Sequence, residues 1–165
     1  MNAKLRNNHG ISMLEMMIAV VIAGLLAAIS VPNLSGAIKK MRFDNEGRDL
    51  VSTFRYARAA SITLQKPVGI HLDSDHRKVV AFLDLVGVGL NTYDTGDSVL
   101  RSDSLEANVT YMGSTFSGQT VVFQPDGTAS SGGYVTLHGS TGQMSRSLSI
   151  SVTAGSGRVR LDYYI

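Results

Sequence analysis

Gly10-Ile11-Ser12-Met13-Leu14-Glu15 opens the stretch that decides the fold. From Ile11 to Val31 the chain runs for 21 residues with Glu15 as its only charged side chain. At the rise of an α-helix such a run spans roughly 30 Å, the thickness of a bilayer's hydrocarbon core. The ten residues before it, Met1 to Gly10, are polar and carry Lys4, Arg6 and His9 without any acid. A secretory signal peptide has a basic start and an apolar centre of this kind. The apolar run here is longer than an ordinary one, however, and no small-x-small cleavage site closes it. A signal anchor, with Lys4 and Arg6 kept in the cytoplasm, is the second reading. Neither accounts for Glu15, because a carboxylate in a membrane span is costly and points to a partner and a role.

The remaining sequence has a different character. The mean hydropathy of +0.09 averages an apolar N-terminus with a C-terminal half rich in Gly, Ser and Thr. There is no Cys, so disulfides and thiolate metal sites are excluded. Of the net charge of +2, Lys4 and Arg6 supply two positive charges, so the chain without its first ten residues is close to neutral. A generally basic surface for nucleic acid is not present, and any such site would have to be local.

Past the apolar run, Pro32 and Gly36 are expected to interrupt the helix. A second, amphipathic stretch follows from Ala37 to Gln65, with Leu50, Phe54, Ala57, Ser61 and Leu64 forming a stripe and Arg48, Arg55 and Arg58 lying off it. Lys66-Pro67 ends the helix, since a residue before Pro is pushed from helical angles. The period then changes from helical to alternating. Val68 to Leu72, Lys78 to Leu83, Thr120 to Phe123, Tyr134 to Leu137, Leu148 to Val152 and Val159 to Tyr163 read as short strands, while Val86 to Ser98 reads as a loop. The expected fold is α+β: a long N-terminal helix, half membrane and half amphipathic, packed on an antiparallel β-domain. The divisions are 1–10, 11–36, 37–66 and 67–165.

Gly10 followed by Ile11-Ser12-Met13-Leu14-Glu15 resembles the signal of type IV pilins and pseudopilins. That resemblance implies a leader of residues 1–10 cut off after Gly10 by a prepilin peptidase, and N-methylation of the new terminus, Ile11. Glu15 is then fifth in the mature chain, where the family uses it in assembly to pair with a neighbouring subunit's terminal amine. Ile11 stands in place of the usual Phe, and Ser12-Met13 in place of the commonest Thr-Leu. Phe54-Arg55-Tyr56-Ala57-Arg58-Ala59-Ala60-Ser61, Gln65-Lys66-Pro67-Val68 and Phe123-Gln124-Pro125-Asp126-Gly127 are similar to stretches of GspH/FimT-type minor pilins. So are Ile150-Ser151-Val152 and Gly157-Arg158-Val159-Arg160. The implied role is a minor pilin or pseudopilin of a type IV pilus or type II secretion system. Its partners would be prepilin peptidase, other pilin or pseudopilin subunits and the inner membrane. The implied location is single-pass in that membrane, with the C-terminal domain in the periplasm.

Competing chemistry is thin. His71, Asp73 and Asp75 would share a face of an extended strand with His76 opposite, but Asp73-Ser74-Asp75 reads better as a hairpin turn than as a metal site. Asp94 and Asp97 flank a Gly and suit a turn better than a calcium loop. Gly87-Val88-Gly89 lacks the context of a phosphate loop, Ser130 and Ser131 lack a nucleophile's elbow, and His138 stands alone. No acid, base and nucleophile converge, so no enzyme and no cofactor are expected. The alternative function lies in Gly157-Arg158-Val159-Arg160, which resembles the Gly-Arg-x-Arg motif of DNA-binding FimT-type minor pilins acting in DNA uptake. On a strand Arg158 and Arg160 share one face while Val159 turns inward. Arg146, expected in a loop, and Lys66 would extend the patch; Asp162, on the same face, opposes it.

Overall fold

The computed structural model describes residues 12–75, 77–85, 92–94, 96–140 and 145–164. The expected cleavage point at Gly10 and Ile11, His76 and the Gly87-Val88-Gly89 run lie outside them. The described chain divides into two units, Met1–Ile38 and Lys39–Ile165.

One helix, α1, spans Met13–Leu64 and crosses Pro32 and Gly36 without a break. The expected interruption is therefore corrected. Proline removes one backbone donor, and here the helical runs on either side are long enough to keep their register across that single loss. Ser12 caps the start, its Oγ accepting from the Leu14 amide at 3.3 Å. Within the first unit the large apolar side chains from Met13 to Ile29, and Leu34, are more than half exposed.

In the second unit α1 becomes two-faced. Phe43, Gly47, Leu50, Phe54, Ala57 and Ser61 recur at alternating steps of four and three and are all buried. The stripe begins earlier than the sequence reading had it. It also ends earlier, since Leu64 is 47% exposed. Gln65 takes a left-handed φ of 53° and the Lys66 amide donates to the Ser61 carbonyl at 3.3 Å, a six-to-one closure of the helix just before Pro67.

The strands are β1 Val68–Asp73, β2 Lys78–Leu83, β3 Ser98–Ser104, β4 Val109–Ser114, β5 Thr120–Phe123, β6 Gly133–Ser140, β7 Ser145–Thr153 and β8 Arg158–Tyr164. They form two four-stranded antiparallel sheets, ordered β3-β2-β1-β5 and β4-β6-β7-β8. The six expected strands are all present. β3 and β4 are additions, and Arg146, read as loop, lies within β7. A single hydrophobic cluster joins the helix to the inner faces of both sheets: Phe43, Leu50 and Phe54 from α1, Ile70 and Phe123 from the first, Leu137, Leu148 and Ile150 from the second.

Candidate functional site

Glu15 sits in the first turn of α1, at the third helical position after its Ser12 cap. The free amides of that turn carry partial positive charge, which favours a carboxylate there. Around it Met13, Leu14, Met16, Met17 and Ile18 are all exposed by half or more, so the acid stands in an apolar surface that the described residues do not cover. One described helix is long and apolar enough to cross a membrane, and Glu15 lies inside its apolar run. A carboxylate so placed gains most from a cation supplied by another molecule, because attraction strengthens as water is excluded.

The other expected site lies on β8. Val159 is 8% exposed while Arg158 and Arg160 point outward, so the alternation was read correctly. The Arg160 Nε is 3.0 Å from Asp162 Oδ1, which neutralises one of the two cations in place. Arg146 does not join them. It sits near the far end of β7, on the inner face, 3.8 Å from Asp44 of the helix. A two-arginine patch with one internal counter-ion is a weak attractor for a polyanion.

The acidic and hydroxyl groups considered as competing sites have structural duties. Asp73 ends β1 opposite Lys78 in the β1–β2 hairpin, whose turn contains Ser74 and Asp75. Among the described residues, no group of three or more His, Cys, Asp or Glu could hold a metal ion. Asp97 accepts from the amides of Asp94 and Leu85 at 2.9 and 3.3 Å, tying its own turn. Ser130 Oγ accepts from the Val122 amide at 3.0 Å. His71 meets Thr120 Oγ1 at 3.0 Å and stacks on Tyr93, with ring centres 5.2 Å apart, and its burial lowers the imidazole's pKa.

One acidic groove was not legible in the sequence because β3 was not. It lies between α1 and β3, has a volume of about 280 Å³, and is lined by Glu46, Asp49, Thr53, Arg101 and Asp103. Asp103 is engaged by Thr53 at 2.9 Å and by Arg101 at 2.6 Å. Glu46 is raised above the ordinary carboxylate range, first by burial and then by the nearby charge of Glu106.

A long apolar N-terminal helix that turns amphipathic and packs on antiparallel sheets, with one carboxylate at its apolar tip, defines the class of pilin-like filament subunits. The family described as Type II transport protein GspH matches residues 46–156, and the prokaryotic N-terminal methylation motif matches residues 5–31. This chain belongs to the GspH family and is a subunit of the minor pilin and pseudopilin kind, of a type II secretion system or type IV pilus. Among solved structures, it resembles the minor pseudopilin EpsH of the Vibrio cholerae type 2 secretion system. The TM-score is 0.55 at 10% identity, over 73% of this chain and 95% of that one. It also resembles the type IV minor pilin FimU of Pseudomonas aeruginosa, with a TM-score of 0.53 at 16% identity, over 72% and 87% of the two chains. At these identities the likeness speaks for the fold. Among curated protein sequences no relative matches the chain. The DNA-binding reading of Arg158 and Arg160 finds no support in these comparisons.

Proposed function

We propose that prepilin peptidase cuts this chain after Gly10, that Ile11 is the methylated terminus, and that the apolar half of α1 anchors the subunit in the inner membrane with its C-terminal domain in the periplasm. From there it enters a short filament as a minor subunit. Glu15 then pairs with the terminal ammonium of a neighbour, each charge finding its counter-ion where water is scarce. That pair sets register more than it adds stability, because both ions lose their hydration. The observation that carries this reading is Glu15 itself, the one charge in an otherwise apolar run that begins at the proposed new terminus. A membrane anchor alone has no use for it.

Two measurements test the proposal. The intact mass of protein extracted from membranes of cells with an active prepilin peptidase is expected to begin at Ile11 and to carry one methyl group. Retention of Met1 to Gly10 would refute it. Glu15→Ala is expected to reach the membrane in normal amount and to be depleted from sheared filaments, with Glu15→Asp between the two. Equal incorporation of all three forms would remove the pairing role.

A further inference from the structure

Lys39, Lys40 and Arg42 are the first charged side chains after Glu15, and no acid stands among them before Asp44. They open the second unit of the chain, and all three are exposed on α1. Among the described residues none of them forms an ion pair. The acids that follow turn to the β-domain instead. Asp44 Oδ2 lies 3.8 Å from Nη1 of Arg146 on β7, and Glu46 accepts the backbone amide of Glu106. The helix thus gives these acids to the domain and keeps a band of three cations on its surface.

Their depth follows from length. A bilayer with its headgroup layers is about 40–45 Å thick, which about 27–30 helical residues span. Counted from Ile11, Lys39 and Lys40 are the twenty-ninth and thirtieth residues and Arg42 the thirty-second. With the Ile11 end of the span at one face of the membrane, the three cations fall at the phosphate level of the other face or just outside it. Lysine and arginine stems are long enough to lie along the apolar boundary and return the charged head to the headgroups. Between the cations Met41 is 64% exposed, so an apolar side chain shares that depth. Cleavage after Gly10 would also remove Lys4 and Arg6, leaving these three as the side-chain cations nearest the bilayer.

We infer that Lys39, Lys40 and Arg42 bind the phosphate groups of anionic phospholipids in the leaflet where α1 leaves the membrane. The inference rests on the anchoring reading above and adds to it the chemistry of the lipid around the subunit. Continuity selects a lipid over another anion: the cations follow an apolar run of bilayer length and stand where headgroups would be. Each ammonium is an adaptable donor, and the guanidinium can hold two phosphate oxygens at once. Cations beside a negatively charged membrane surface add their attractions, and the sum is screened by salt. Bound headgroups fix how deeply the helix sits before assembly, and they must be released when the subunit moves into a filament.

The sequence has no Trp, so Met41→Trp gives the full chain a single indole among the cations, at an exposed position. That chain is reconstituted in vesicles of phosphatidylcholine holding about 25 mol% phosphatidylglycerol, with an equal share of one lipid or the other brominated on its acyl chains. Brominated phosphatidylglycerol is expected to quench the indole at least about twice as strongly as brominated phosphatidylcholine. Raising salt from about 0.05 to 0.5 M should cut that excess by about half or more. Replacing all three cations, Lys39→Gln/Lys40→Gln/Arg42→Gln, should make the two lipids equal. Inorganic phosphate at about 10 mM and constant ionic strength should leave the preference intact. Equal quenching in the parent overturns the inference and leaves the anchoring reading in place. A preference that survives in the triple variant does the same. A preference that free phosphate abolishes assigns the cations to a soluble anion and overturns it as well. Protein that fails to float with the vesicles refutes the anchoring reading itself, and the inference with it.

Discussion

Gly47 faces Leu148 of the second sheet, and replacing it sets two effects against each other. An ideal Cβ at that position would lie 2.5 Å from Leu148 Cδ2 and 3.4 Å from Cδ1. Glycine in the middle of a helix costs about 1 kcal/mol relative to alanine, so Gly47→Ala should stabilise the helix by that amount. The new methyl group must nevertheless displace Leu148, which is fully buried in the common core and cannot swing into solvent. Overpacking of this kind costs about 1–3 kcal/mol. With a midpoint of about 2, the net expectation is a loss of about 1 kcal/mol, or roughly 3–5 °C in Tm for a domain of this size. Thermal unfolding followed by circular dichroism in micelles measures it. A second substitution isolates the cause. Leu148→Val alone should cost about 1 kcal/mol, but in the Gly47→Ala background it should cost nothing or restore stability, a coupling of about 1 kcal/mol or more. A rise in Tm for Gly47→Ala, or additive losses in the double variant, would refute the close contact as the reason for this glycine.

Three further outcomes follow from the packing. A fragment of residues 39–165 should fold without the apolar helix, whereas one beginning at Val51 should not. The latter lacks Phe43 and Leu50, at 0% and 4% exposure, a loss of about 5–10 kcal/mol that rivals a typical domain's entire stability; circular dichroism of both fragments decides it. Because the folded state raises the pKa of Glu46, stability should fall as pH rises from the ordinary carboxylate range through the raised value. Glu46→Gln should flatten that part of the pH–Tm curve and be more stable than wild type at neutral pH; parallel curves would exclude Glu46 as the source. Ser61→Val should lower Tm, because the buried hydroxyl lies 2.8 Å from the Arg58 carbonyl and 3.0 Å from that of Gln124, at a cost of about 1–3 kcal/mol for the acceptors left dry; an unchanged Tm would show those acceptors find other donors.

The helix and six of the strands were legible because their residues alternate or recur with a period that burial enforces. In Val68-Gly69-Ile70-His71-Leu72 and Tyr134-Val135-Thr136-Leu137 each inward residue is apolar. β3 was hidden because it is an edge strand in Ser98-Val99-Leu100-Arg101-Ser102-Asp103-Ser104, with no residue fully buried and thus no pattern to read. β4 was hidden by its register shift between Val109 and Tyr111, which separates the buried Val109 and Met112 by three residues and breaks the alternation. Glu15 was conspicuous because it violates its surroundings. The acidic groove was not, because it is assembled from α1 and β3, two elements far apart in sequence that only the fold brings side by side.

The order of strands also constrains how the molecule forms. β4 belongs to one sheet and β5 to the other, so the chain leaves the first sheet after β3, lays down β4, and returns through a short 3-10 turn at Ser117–Gln119 to place β5 beside β1. Neither sheet can be finished before the other has begun. The β1–β5 pairing, Ile70 opposite Val121, closes a loop of some fifty residues that contains most of the intervening architecture. Interlocking of this kind disfavours a half-built state with one sheet complete and the other absent. It favours slow, concerted acquisition of structure, with α1 as the surface on which both halves condense.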